Sequence, residues 1–356
     1  MRVGVQILYP FDMGLEIDLS GQEAGALIAR LQDIGAHEIS FGPSPLGTGQ
    51  VSGRVYRFGV GVVDVTLELE LDFEGCARIS CGTHQLEVDG KPISDFAESL
   101  VQGVIESCRK FATYSYERRL EDRELFPIVV IREPIAGEAA DLIERHRKAL
   151  FGIVAGEPDY DRLSPRILER EQLKNLGYFG NDLILVHRFG AVLSGIEAET
   201  NAELLSLVLA QYWSMRSYDY VLDHELNKAQ EQLEELPQYY QVWRMPGRYH
   251  DFSNEAIDFA KDKLSITQSL HTVVGGENQI ESDWSLRELY EEARKAFGIE
   301  MLYARVEAKL TKIDSAYNVA REQLSANFYI LLDIIFLAFL IWSIVDTLLL
   351  ARIAFE

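Results

Sequence analysis

Basic residues are scarce in this chain of 356 residues: Lys and Arg number 34 against 56 Asp and Glu, for a net charge of −22. The field around such a chain repels phosphate backbones and anionic headgroups, which argues against nucleic acid as a partner. Cysteine is scarcer still. Cys76, Cys81 and Cys108 are too few and too unevenly spaced for a disulfide framework or a four-ligand zinc site, and they read as small apolar residues in a reducing compartment. The seven histidines include no pair at i and i+4 with an acid between, the spacing of a helical metal site. There is no Gly-x-Ser-x-Gly elbow and no Cys in a recognisable His context. Gly47, Gly49 and Gly53 are followed by no Lys-Ser/Thr pair, and a phosphate loop needs a helix N-terminus after its glycines. The expectation is therefore no catalytic residue, no metal and no cofactor.

The beginning of the chain lacks an export signal, because the apolar stretch Val3 to Tyr9 is short and runs into Pro10, Phe11 and Asp12. It also fits an organellar transit peptide poorly, since Asp12, Glu16 and Asp18 arrive early.

What is present lies at the other end. From Phe328 to Ala351, 24 residues contain no Lys, Arg, Glu, Gln, Asn, Pro or Gly. As a helix rising about 1.5 Å per residue they cover the roughly 30 Å hydrocarbon core of a bilayer. Asp333 and Asp346 interrupt the run. Each lies on the order of 10 Å from the midplane, where a carboxylate can be protonated or can face the interface or a partner helix. A buried helix of a soluble protein is the competing reading. Lys309, Lys312 and Arg321 precede the run, and the positive-inside rule places the N-terminal bulk in the cytoplasm. The expected topology is a single-pass tail anchor.

Organisation follows from patterning. Residues 1–198 alternate strand and helix signals. Val3 to Tyr9 reads as a strand, Ser20 with Glu23 as a capping box, and Ala24, Leu27, Ile28 and Leu31 as the apolar face of a helix ended by Gly35. Gly42 to Gly53 reads as a loop. Arg54 to Val63, Thr66 to Phe73, Ala77 to Ser80 and Gln85 to Val88 read as strands before an Asp89-Gly90 turn. A helix from Ser94 to about Tyr116, a strand Pro127 to Ile131, a helix Ala139 to Ile153 and a hairpin around Gly190 complete an α+β part with an antiparallel sheet. From residue 199 strand signals stop. Helices are expected over Asn201 to Leu236, Ser253 to Val274 and from Ser285 toward the membrane, so the expected division is 1–198, a helical domain and stalk 199–326, a span 327–351 and a tail 352–356.

Three features carry partner expectations. Val306, Leu310, Ile313, Tyr317 and Leu324 recur at spacings of four and three, a coiled-coil-like seam that packs either on the preceding helices or on a second copy. Tyr317 and Leu324 lie close to the bilayer, where a second copy is the more available partner, so a homo-oligomer is the expected state. The segment 238–252 concentrates Tyr239, Tyr240, Trp243, Arg244, Arg248 and Tyr249, residue types enriched at binding hot spots, and is a candidate loop for a protein partner. Asp219 and Asp223 share a helix face at i, i+4 and could hold a hard cation, but Arg216 three residues earlier favours a solvated ion-pair face.

The glycine hairpin from Leu183 through Val186, His187, Arg188, Phe189 and Gly190 to Val192, the helix with Ala210-Gln211, Trp284 followed by Leu286 and Leu289-Tyr290, the helix with Ile299 and Leu310, and the closing apolar run follow one order. Over residues 182–351 that order resembles the family required for meiotic nuclear division, whose molecular function is unknown. The resemblance implies a membrane-anchored, non-catalytic protein that self-associates or supports other machinery, and it transfers no active-site residue. The functional expectation is a membrane-anchored scaffold or adaptor. The alternative is an enzyme with an unrecognised pocket in residues 1–198.

Overall fold

The structure is a computed structural model that describes residues 1–116, 118–135, 137–171, 173–234, 245–274 and 283–355, with only the backbone described for residues 232, 245–255, 272, 274 and 351–355. Its strands are β1 (Arg2–Asp12), β2 (Leu15–Ile17), β3 (Gly35–Phe41), β4 (Ser44–Val55), β5 (Val60–Glu70), β6 (Leu86–Val88), β7 (Lys91–Pro92), β8 (Ala112–Ser115), β9 (Phe126–Ile131), β10 (Leu183–His187) and β11 (Gly190–Ser194). The helices are α1 (Gln22–Leu31), α2 (Phe73–Cys81), α3 (Ile93–Cys108), α4 (Ala139–Ala155), α5 (Pro165–Arg170), α6 (Ala198–Glu234), α7 (Met245–Val274), α8 (Trp284–Phe297) and α9 (Ile299–Phe355).

Among the described residues nine strands form one sheet in the order β10-β11-β9-β1-β5-β4-β3-β6-β7, and β2 pairs with β8 apart from it. Every pairing is antiparallel except β9 with β11. The α+β expectation with an antiparallel-rich sheet followed by helices therefore holds. In β1 and β9 nearly every position is buried, the pattern of strands covered on both faces rather than of an alternating half-exposed sheet. β1 runs on through Pro10 because β9 stops pairing at Leu8, so one side of the strand there has no ladder bond for proline to break.

Local rules and tertiary context part company at several places. The expected loop Gly42 to Gly53 is mostly strand β4. Gly42 (φ 54°) with Pro43 makes the tight turn from β3, and Pro45 precedes the start of the β5 ladder at Gln50. Gly49 is needed for packing: a Cβ there would lie 2.9 Å from Ile39 Cγ1 and 3.0 Å from the Thr66 carbonyl. Ala77 to Ser80 belong to α2, not to a strand. Asp72 caps that helix by accepting from the Gly75 N–H at 2.7 Å, and Phe73, Cys76, Ala77, Ile79 and Ser80 are its buried residues.

The Ser20–Glu23 capping box does not form. The Ser20 N–H donates to Asp18 at 2.8 Å and Glu23 is taken by Lys110 at 2.8 Å, leaving Gly21 as the uncapped N-cap. α3 stops at Cys108, short of Tyr116, because residues 112–115 pair with β2. α7 begins at Met245 rather than Ser253, with Pro246 in the first turn, where a missing N–H costs the helix nothing. The helix expected from Ser285 to the membrane is broken at Gly298, which adopts the left-handed conformation (φ 67°) that closes α8 before α9. The Asp89-Gly90 turn is found where expected, with φ of 49° and 73°.

The chain groups into two compact units, Met1–Tyr218 with Ser269–Ala304, and Asp219–Gln268 with Arg305–Glu356. The first holds the sheet and its core, and the second holds most of the long helices.

Candidate functional site

The apolar run occupies the C-terminal part of α9. This is a helix long and apolar enough to cross a membrane, and 6% of its most apolar window is buried. Phe336, Leu337, Phe339 and Trp342 are 58 to 72% exposed. A core helix of a soluble protein would have this face covered. Asp333 and Asp346 are exposed on the same stretch.

Earlier on α9 the seam lies in the opposite environment. Val306, Leu310, Ile313, Tyr317 and Leu324 are all buried by the chain itself. Phe259 of α7 stacks on Tyr317 with ring centroids 5.1 Å apart, and Lys263 pairs with Asp314 at 3.0 Å. Of the two coverings open to the seam, the structure contains the one within the chain, so a second copy is not required to keep these side chains from water. Tyr239, Tyr240, Trp243 and Arg244 of the candidate interaction loop lie outside the described residues. Arg248 and Tyr249 fall on α7, and their side chains lie outside the described residues.

Asp219 and Asp223 are an ion-pair face, with a partner other than Arg216. Lys309 Nζ sits 2.5 Å from Asp219 Oδ1 and 2.7 Å from Asp223 Oδ1, and Arg305 adds a contact to Asp219 at 3.3 Å. Arg216 instead pairs with Asp122 and with Glu124, which Arg188 also grips at 2.6 Å. No cluster of three or more metal-ligating side chains occurs among the described residues. Cys76 and Cys108 are buried and Cys81 is half-buried. Burial pushes the Cys76 thiol up to about 12 and those of Cys81 and Cys108 up to about 11, the reverse of what a nucleophilic thiolate needs.

Two acids that the sequence shows only as early negative charges form the most perturbed cluster of the first unit. Asp12, at the end of β1, accepts from the Gly14 N–H at 2.9 Å, the Leu120 N–H at 2.8 Å and the Tyr116 hydroxyl. Glu16, on β2, accepts from the Tyr218 hydroxyl of α6 at 2.6 Å. Burial pushes both carboxyls above their usual range, while these donors pull the other way. Tyr116 and Tyr218 are raised well above an ordinary phenol by burial and then by Asp12 and Glu16 respectively. This network ties the β1–β2 corner to the segment just after β8 and to α6.

Two clefts stand out in the first unit among the described residues. One of about 680 Å³ lies between the β4–β5 hairpin and α6, with Tyr56, Phe58, Leu204 and Leu207 in its wall and Arg54 and Arg57 among its polar groups. Arg54 is held by Glu203 at 3.0 Å. The other, of about 460 Å³, is lined from the segment before β10, the end of β11 and the starts of α6 and α8. Asp12, Glu16, Tyr116 and Tyr218 line neither cleft.

Residues 5–198 match a family model described as the N-terminal domain of the uncharacterized protein MJ0711. The chain belongs to this family. The match covers the sheet and stops at the start of α6, so it shares only residues 182–198 with the stretch on which the meiotic-division resemblance rests, and it names no such relative. No curated protein matches the chain, and no solved structure does.

Proposed function

We propose that this protein is a membrane-anchored, non-catalytic scaffold or adaptor that presents residues 1–198, as an α+β domain, to the cytoplasm. The observation that carries the reading is the exposed apolar half of α9, which no described part of the chain covers. Leaving so many large side chains in water costs roughly 1.5–3 kcal/mol for each, and a bilayer removes that cost. Lys309, Lys312 and Arg321, on the same helix before the apolar stretch, support a cytoplasmic position for the bulk. The non-catalytic part is supported by the separation of perturbed groups from clefts, since the acids with raised values sit in the core and not where a substrate could reach them.

The enzyme alternative draws on the 680 Å³ cleft, which is of ligand size. A protein partner at residues 238–252 stays in the proposal on its aromatic and arginine content. Self-association through the stalk loses its motive, because the seam is filled by the same chain.

The test is extraction of the full chain. It should stay with membranes through high salt and alkaline carbonate, and a version lacking residues 327–356 should move to the soluble fraction. Release of the full chain by carbonate sinks the anchoring reading. Protease added to sealed vesicles then reports which side carries residues 1–198.

A further inference from the structure

Three aromatic rings stand uncovered around the second cleft of the first unit. Tyr178, Phe179 and Trp284 are 58, 57 and 56% exposed. They are not scattered. Tyr178 meets both Phe179 and Trp284 edge to face, with centroids 4.6 Å apart in each pair and ring planes at 75° and 73°, so the rings stand as near-perpendicular walls.

The charge of the cleft has one sign. Asp182, Glu197 and Asp283 line it, and among the described residues no Lys, Arg or His does. Asp283 is committed to capping α8 through Ser285 and Leu286, and Asp182 accepts from the Phe179 N–H at 3.1 Å. The Glu197 side chain has no hydrogen bond or ion pair among the described residues. Gly195 (φ 124°) keeps the cleft open beside Asp182, since a Cβ there would meet the Asp182 carboxylate at 2.6 Å.

Two buried polar side chains line the same cleft. Ser194 and Asn201 are 3% and 6% exposed, and neither makes a side-chain hydrogen bond among the described residues. Buried polar groups are normally paired, so such groups facing a cavity mark where a ligand's own polar atoms would go.

We propose that this cleft binds a small, net-cationic alkylammonium of the trimethylammonium class. Its aromatic walls present negative π-faces to a weakly hydrated methylated cation. The carboxylates supply negative potential, and Ser194 and Asn201 are placed for a hydroxyl or similar group on the attached chain. A phosphocholine group carries an anionic phosphate that Asp182, Glu197 and Asp283 repel, so the free amine is selected over the lipid headgroup. The proposal concerns the first unit and does not depend on membrane anchoring.

The experiment is titration of the full chain, held in a maltoside detergent, with choline, with phosphocholine and with 3,3-dimethylbutan-1-ol, the uncharged carbon isostere of choline, read by calorimetry or saturation-transfer NMR. Choline should bind saturably, and the other two about tenfold more weakly. Trp284→Ala should weaken choline about tenfold, Trp284→Phe should retain most of the binding, and Glu197→Gln, at an exposed side chain, should weaken it several-fold with thermal unfolding unchanged. No saturable choline binding overturns the proposal. So does equal binding of the isostere, which would mean an apolar cleft only, or equal binding of phosphocholine, which would make a lipid headgroup the ligand. Unchanged choline affinity in Trp284→Ala and Glu197→Gln proteins that unfold like the parent overturns it as well.

Discussion

Two stretches of the same helix, residues 306–324 and 328–350 of α9, are both rich in large apolar side chains and end in opposite environments. In the first, Val306, Leu310, Ile313, Tyr317 and Leu324 are buried while the positions between them are mostly polar and exposed. In the second, apolar residues fill all sides and nearly all are exposed. An apolar stripe of limited width can be covered by one neighbouring helix face. An apolar surface that goes all the way round needs a solvent that is apolar on every side. The periodicity of the pattern, more than its hydrophobicity, therefore separates residues 306–324 from the stretch that is apolar enough to cross a membrane.

The largest expected effect comes from breaking the second stretch. Arginine at both Leu337 and Leu340, near its middle, should cost about 2.5–3.5 kcal/mol per residue of insertion free energy and shift the protein from the carbonate-resistant pellet to the supernatant. If the double variant remains in the pellet, the apolar stretch is not what holds the protein there. The seam should respond on a different readout. Leu310→Ala or Ile313→Ala should lower unfolding stability by about 2–5 kcal/mol, whereas Leu340→Ala should leave it within about 0.5 kcal/mol, as followed by denaturant titration in detergent.

A carboxylate comparison sharpens the contrast between covered and exposed positions. Asp64 on β5 is 9% exposed and, unlike Asp333 and Asp346, lies in the protein core. Burial raises its pKa from 3.8 to about 6, against the opposing pull of the Thr66 hydroxyl and Arg54. The folded state thus holds the proton more tightly than the unfolded chain. That extra stability is fully present below pH 3.8 and is lost as pH rises through about 6. Asp64→Asn should consequently leave stability at pH 4 nearly unchanged and raise it at pH 8, by at most about 3 kcal/mol. Parallel pH–stability curves for the two proteins would show that Asp64 is not the titrating group.

Lys309 offers a smaller effect on the stalk itself. Lys309→Met leaves Asp219 and Asp223 without their shared cation and should cost about 1–3 kcal/mol, with part of it recovered in Lys309→Met combined with Asp219→Asn. The smallest expected effect is at the seam as a between-chain contact. Cysteines introduced at Tyr317 and Leu324 should crosslink no better in membranes than one at Asn318, because both native side chains are already buried within their own chain. Efficient crosslinking at the two seam positions alone would restore the homo-oligomer reading.

The parts of the fold that were legible in the sequence are those where local pattern and tertiary burial agree. The β9 and α4 segments, the Asp89-Gly90 turn, the β10–β11 hairpin and the two regimes of α9 all carry their own signal within a few residues. The misread segments are those where a distant partner decides. Glycine and proline composition makes residues 42–53 look like a loop, but β3 and β5 lie on either side and pair with them. Residues 77–80 have strand composition, yet Asp72 caps a helix there. Asp12 and Glu16 become a buried pair only because Tyr116 and Tyr218 arrive from far along the chain. In the second cleft, Tyr178 and Phe179 carry no local motif, and Trp284 and Glu197 come from other elements altogether.

By itself the sequence determined the class of the chain. It specified an acidic α+β part ahead of long helices, the heptad-like row on the stalk and a 24-residue apolar run, because composition and periodicity act over one or two turns and need no partner to be read. Only the tertiary structure decided that the row is filled within the chain, that the glycine-rich segment is a central strand, that two early acids are locked against phenols, and that three aromatic rings meet over three carboxylates. Each of these depends on which distant surfaces exclude water from one another, and that is a property of the packed chain rather than of any stretch of it.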